Sequence, residues 1–220
     1  MNSSEIESLV EKQREFYNSG KTMSLAYRQN ALSKLQEALI KCEDRLNDAI
    51  YQDLGKSVFE SYMCEVGLTL SELSYVKRHF RRWNKNHMVP TPLAQFAAKS
   101  FTVKEPYGVV LIMSPWNYPV LLTLEPLIGA IAAGNCCILK PSAYSPATSK
   151  VMKEIIEEIF PSEYVAVVEG GRAENTTLLD QKFDYIFFTG GVSVGKLVTT
   201  RPGFPVIGRT RRSPTSCMLQ

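Results

Sequence analysis

Four short apolar runs, Val109–Met113, Cys136–Leu139, Tyr164–Val168 and Tyr185–Phe188, recur at intervals of 20 to 30 residues. Each has the length of a buried strand, and a connection that long between strands is a crossover, not a hairpin. That rhythm restricts the chain to βαβ units on a parallel sheet. Between the second and third runs, Val151, Met152, Ile155, Ile156, Ile159 and Phe160 mark one face of an amphipathic helix.

The first hundred residues follow a different period. Ile6, Leu9, Val10, Phe16 and Tyr17 form one helical stripe. Leu32, Leu35, Leu39, Cys42, Leu46 and Ala49, at steps of 3 and 4, predict a single long helix. It should stop near Gly55, where Asp53-Leu54-Gly55-Lys56 supplies a left-handed cap. Tyr62, Val66, Leu70, Leu73, Val76 and Phe80 predict a third helix. Fewer than four clean heptads favour packing within one domain over a coiled coil. Arg81 to Pro92 reads as a loop, and Ser100 to Glu105 alternates as a strand before Pro106. The expected fold class is α/β, a Rossmann-like doubly wound parallel sheet preceded by an N-terminal helical layer. Its segments are the helices (1–83), a loop with a bridging strand (84–106), the cofactor-binding core (107–198) and an atypical tail expected to be disordered (199–220).

Charge and cysteine usage remove several function classes. Of 25 basic residues, four arginines sit in the last 22 positions, which hold no acid. The rest of the chain balances 21 basic against 22 acidic residues, so there is no electrostatic footprint for nucleic acid. The five cysteines, Cys42, Cys64, Cys136, Cys137 and Cys217, show no Cys-x-x-Cys or Cys/His spacing, so no metal site is expected. An odd count with two adjacent members suits a reducing compartment. The start lacks a basic region and an apolar core, so no secretory signal is expected. Val120 to Gly134 is too short to span a bilayer and contains Glu125 and Pro126, so no membrane segment is expected. The expected location is the cytoplasm.

In a doubly wound sheet, ligands bind where the C-terminal strand ends meet helix N-termini. Four segments fall there: Ser114-Pro115-Trp116-Asn117, Lys140-Pro141-Ser142-Ala143, Glu169-Gly170-Gly171 and Thr189-Gly190-Gly191. A carboxamide, an ammonium, hydroxyls and paired glycines suit a ligand bearing phosphate and ribose. Gly190, Gly195 and Lys196 also satisfy the G-x-x-x-x-G-K part of a triphosphate-binding loop. Leu197 then stands where that loop needs a hydroxyl for magnesium, which disfavours it. A glycine turn that merely joins strand to helix is a further alternative.

Taken together, five ordered motifs carry a resemblance. They are Pro106-Tyr107-Gly108-Val109-Val110-Leu111-Ile112, Pro115-Trp116-Asn117-Tyr118-Pro119, Pro126 to Asn135, Lys140-Pro141-Ser142, and Phe188-Thr189-Gly190-Gly191 with Val194-Gly195-Lys196. From about Glu5 to Val198 the chain resembles the NAD(P)-dependent aldehyde dehydrogenases. Its Trp-Asn-Tyr-Pro form and short N-terminus look like the class 3 branch, which acts on fatty or aromatic aldehydes. The resemblance implies oxidation of an aldehyde to a carboxylic acid through a cysteine thioester, with NAD or NADP accepting hydride. An aldehyde substrate and a family dimer are implied for the full-length protein.

By the same resemblance, Asn117 matches the asparagine that donates to the oxyanion. Lys140 matches the lysine that binds the adenosine ribose, with Ser114, Pro115, Trp116, Ser142, Gly170 and Gly171 around the cofactor. Gly190, Gly191 and Gly195 match the segment facing the pyrophosphate. Ala143 stands where the family usually has a ribose-binding Glu, which should relax discrimination between NAD and NADP.

The family's Leu-Glu-Leu-Gly-Gly-Lys and Gly-Gln-x-Cys segments, carrying general base and nucleophile, do not occur in these 220 residues. Cys136, Cys137 and Cys42 read as small core residues instead. Catalytic activity is therefore not expected of the chain as written. A non-catalytic nucleotide-binding or interaction fragment is the alternative. Codons for Ile207 to Arg212 can be chosen so that the frame one base later reads Leu-Glu-Glu-Leu-Gly-Gly, which points to a shifted frame. With a fifth strand lost from the tail, one sheet edge should stay open and nucleotide binding should be weak or absent.

Overall fold

The structure, a computed structural model, describes residues 1–200, together with the backbone of two strands at 206–210 and 217–218. Helix α1 (Ser3–Asn18) opens on a capping box, in which Asn2 and Glu5 each accept from the other's backbone amide. The long stripe from Leu32 to Ala49 forms two helices, not the single one its period predicts. α2 (Leu25–Lys41) and α3 (Glu43–Leu54) meet at Cys42, where φ −103° and ψ 13° leave the helical region. Glu43 and Asp44 then sit in the first turn of α3, where carboxylates are favourable. The stripe still works, because a one-residue break keeps Leu39, Cys42 and Leu46 in the same core. Gly55 ends α3 at φ 68°, as expected of a left-handed cap.

The third stripe is also interrupted. α4 (Val58–Ser61) passes through a π-helical turn at Tyr62–Val66 into α5 (Gly67–Trp83). A Cβ at Gly67 would stand 2.7 Å from the Tyr62 carbonyl oxygen, so the wide turn needs glycine there. The expected loop contains a short strand. β1 (His87–Val89) pairs antiparallel with β2 (Ser100–Thr102), and Pro90 and Pro92 prevent its extension.

The core sheet uses the four predicted runs as β3 (Val109–Met113), β4 (Cys136–Lys140), β5 (Val165–Val167) and β6 (Tyr185–Gly190). The first three are buried at every position, as expected of strands covered on both faces. α6 (Pro119–Ala133), α7 (Pro146–Ile159), α8 (Arg172–Leu179) and α9 (Val192–Thr199) follow successive strands. The sheet order is β5-β4-β3-β6, continued by β7 (Val206–Thr210) in parallel and by β8 (Cys217–Met218) in antiparallel pairing. The expectation of an open edge is thus corrected. Val206 and Ile207 are strand-forming residues, and β6 offers them a free row of backbone partners over five registered pairs. Residues 201–205, 211–216 and 219–220 lie outside the described residues, and so does the expectation of disorder placed on them.

One hydrophobic core joins the helical layer to the sheet, from Ile6 and Leu32 through Phe80 to Ile112 and Ile138. Cys136 and Cys137 are fully buried within it, and burial pushes the Cys136 thiol up to about 12 and that of Cys137 well above its usual range. Neither is a thiolate nucleophile. No helix among the described residues is long and apolar enough to cross a membrane.

Candidate functional site

The chain starts its sheet at β3, builds outward to β5, then returns across β3 to β6. That reversal opens a crevice at the carboxyl ends of β3 and β6. A cleft of about 640 Å³ lies there, within the size range of small-molecule sites. Four strand-end loops line it, contributing Ser114, Pro115, Trp116, Lys140, Ser142, Gly170, Gly171, Gly190 and Gly191. Nine of the ten cofactor residues expected from sequence therefore converge. Gly195 does not line the cleft; it lies one turn into α9, its amide donating to the Gly191 carbonyl. Asn117 is half-buried in the turn after β3 and is also outside the lining. A larger hollow of about 780 Å³ between α1 and the β5 edge contains none of the motif residues.

Lys140 ends β4 and is 3% exposed. Its ammonium donates to the carbonyls of Pro141 (2.8 Å) and Gly170 (2.7 Å), which leaves one of three N–H donors for the cleft. Desolvation brings its pKa down to about 8, against the pull of Glu174 and Glu169. Glu174 accepts from the Gly171 amide at 2.7 Å, closing the start of α8. Bonds from its own amide and that of Gly171 hold its carboxyl below the usual range. Glu169 pairs with Lys153 at 3.3 Å.

Ser114 is not free for a ligand. Its hydroxyl lies 2.5 Å from the Thr123 hydroxyl, which itself donates to the Pro119 carbonyl. Ser142 accepts from the Tyr144 amide, so its own proton can point elsewhere. Gly190 is tight for a local reason, since a Cβ would meet the Phe188 ring. Gly191 has open space around it and caps α9 with no side-chain bond.

Several lining residues escaped the sequence reading. Arg172, Asn175, Thr176 and Tyr144 complete the wall beside Lys140. The Asn175 Oδ1 is buried with no hydrogen-bond partner among the described residues. Arg172 has no ion-pair partner among them. Neither stands in a recognisable motif; only position in the first turn of α8, just past a paired-glycine loop, could have indicated them. Among the described residues no cluster of His, Cys, Asp and Glu could hold a metal ion.

A spare ammonium donor, an orphaned acceptor and an uncapped helix start around one cleft fit a dinucleotide. Known proteins that the chain resembles belong to one family. The profile described as "Aldehyde dehydrogenase family" matches residues 1–207. The 4,4'-diaponeurosporen-aldehyde dehydrogenase of Staphylococcus aureus is 44% identical over 193 residues, covering 88% of this chain and 42% of that protein. Human aldehyde dehydrogenase family 3 member B1 is 44% identical over 187 residues, covering 85% of this chain and 40% of that one. Among solved structures, the substrate-bound state of Staphylococcus aureus AldH superposes with a TM-score of 0.91 at 42% identity, covering 93% of this chain and 45% of that one. A betaine aldehyde dehydrogenase of the same organism in complex with NAD+ shares the fold, with a TM-score of 0.84 at 24% identity. The chain spans about two fifths of the length of the curated relatives it matches.

Proposed function

The chain belongs to the aldehyde dehydrogenase family, and on that footing we propose that its cleft binds NAD or NADP as the cofactor part of an aldehyde-oxidising enzyme. The observation that carries this reading is the convergence of Lys140, Gly190, Gly191 and the start of α9 on one cleft at the sheet's point of reversal. When bound, the cofactor supplies the hydride acceptor. Lys140 would use its third N–H on the adenosine ribose, and the Asn175 Oδ1 would offer an acceptor on the same wall. The α9 amides would hold the pyrophosphate, where the helix dipole favours negative charge. Trp116 walls the pocket.

Asn117 acts on the aldehyde side. Its amide donates to the oxyanion that forms when a thiolate adds to the carbonyl, a role that lowers the barrier only once charge has developed. These 220 residues hold neither the Leu-Glu-Leu-Gly-Gly-Lys nor the Gly-Gln-x-Cys segment, so we expect no aldehyde oxidation by the chain alone. With β7 paired along β6, we expect it to bind nucleotide, in place of the weak or absent binding expected of an open edge. We place the protein in the cytoplasm, as a family-type dimer when full-length. The alternative, a nucleotide-binding fragment with no catalytic role, shares the cleft and differs only in the sequence beyond Val198.

A hybrid tests whether this cleft and Asn117 can serve an aldehyde-oxidising enzyme. Residues 1–198 joined to the remaining sequence of the Staphylococcus aureus relative should reduce NAD(P) with a fatty or aromatic aldehyde. In it, Asn117→Ala should lower kcat by about 100-fold, with nucleotide affinity unchanged. An unchanged kcat would make Asn117 a turn residue only.

A further inference from the structure

We propose that Lys56 and Glu65 are positioning residues: a buried ion pair, built on the π-turn of the helical layer, that fixes the backbone of the turn carrying Asn117. The inference rests on the role of Asn117 as oxyanion donor.

The pair is desolvated. Their side chains are 11% and 0% exposed, and Nζ lies 2.6 Å from Oε1. Among the described residues, all of their remaining polar contacts go to one place. Lys56 Nζ also donates to the Asn117 carbonyl at 2.8 Å and stands 4.1 Å above the ring of Tyr118. Glu65 Oε2 accepts from the Val120 amide at 2.9 Å, in the first turn of α6. An ammonium has three donor directions, and Glu65, Asn117 and the Tyr118 face occupy them. The turn is thus gripped at three successive points, from carbonyl to ring to amide, while Ser114 and Thr123 close its other side.

A merely adhesive contact between the helical layer and α6 would be met more cheaply by apolar side chains, because burying two charges costs more than packing hydrocarbon. What the charges add is direction. An ammonium aimed at a carbonyl oxygen fixes the plane of the peptide after Asn117, and through it the side chain's departure angle. The chain also adopts an unfavourable local form to place the acid: the π-turn at Tyr62–Val66 turns Glu65 inward and requires Gly67 behind it. Single π-turns inside helices recur at functional sites.

The test uses the 220-residue chain and Trp116 as reporter, with Trp83, the other of its two tryptophans, changed to Phe. Lys56→Met with Glu65→Gln removes both charges together, so no unpaired charge is left buried, and the Gln carbonyl still accepts from Val120. Time-resolved fluorescence anisotropy should show about a twofold rise in the nanosecond local motion of Trp116. The melting transition should stay cooperative and nucleotide affinity should stay within about threefold of the parent. Equal Trp116 motion in parent and variant would overturn the inference. If that double variant does not fold, Lys56→Gln with Glu65→Gln removes both charges while keeping polar groups in both places, and unchanged Trp116 motion there overturns the inference too. The hybrid's kcat decides whether Asn117 is the oxyanion donor, and Trp116 motion decides whether Lys56 and Glu65 hold it, so either claim can fail alone.

Discussion

Helix starts on the two sides of the cleft are finished differently. α6 and α7 have no side-chain cap of their own at Tyr118 and Ser145. Carboxylates arrive for them from the helical layer. Glu65 takes the Val120 amide, and Asp53 takes the amides of Ala147 and Thr148 as well as the Thr148 hydroxyl. Across the cleft, α8 is closed by its own Glu174, whereas α9 starts at Gly191 with no side-chain cap from the described residues. The N-terminal layer therefore does more than cover the sheet: it neutralises two helix starts and leaves α9 as the uncapped positive end beside the glycines. The proposed nucleotide site would draw its preference for an anion from the helix left open.

Removing the imported caps tests that contrast, and the two should not respond alike. Glu65→Ala strands Lys56 as an uncompensated buried charge and should cost about 3–5 kcal/mol in urea unfolding. A cost near that of an ordinary surface change would mean that the pair is solvated. Asp53→Ala removes a half-buried cap with no cation paired to it among the described residues and should cost about 1–2 kcal/mol. Equal losses at the two sites would erase the distinction between a positioning pair and a plain cap.

The smallest expected effect lies at the adenosine end. Ala143→Glu places an acid beside Lys140 and should shift the ratio of NADP to NAD affinity toward NAD roughly tenfold, about 1.4 kcal/mol. Arg172→Ala should weaken NADP more than NAD, because the guanidinium on that wall has no other ion-pair partner among the described residues. If neither ratio moves, the ribose does not sit against this loop.

Much of the sheet was legible because its strands are short, wholly apolar and separated by crossover-length segments; Val109–Met113 matches to the residue. The break at Cys42 and the π-turn at Tyr62–Val66 were not, since both preserve the 3–4 stripe that reveals a helix and change only backbone phase. β1 was hidden by its three-residue length and flanking prolines, and β7 by the loss of any apolar run after Ile207. Cleft residues within motifs converged. Arg172, Asn175, Lys56 and Glu65 escaped because their meaning depends on contacts far along the chain, such as Lys56 with Asn117, and no local spacing encodes those.

The central claim is that four strand-end loops form a nucleotide site in which a protonated Lys140 is a donor. Calorimetric titration of NAD and NADP into the 220-residue chain at pH 7 and pH 9 tests it most directly. With its pKa brought down to about 8, Lys140 carries its proton at the lower pH and has largely lost it at the higher. The account predicts saturable binding at pH 7 that weakens severalfold at pH 9, and a Lys140→Met variant that binds weakly with no such pH dependence. No saturable binding of either nucleotide at pH 7, or equal affinity at both pH values in the unmodified chain, would contradict it.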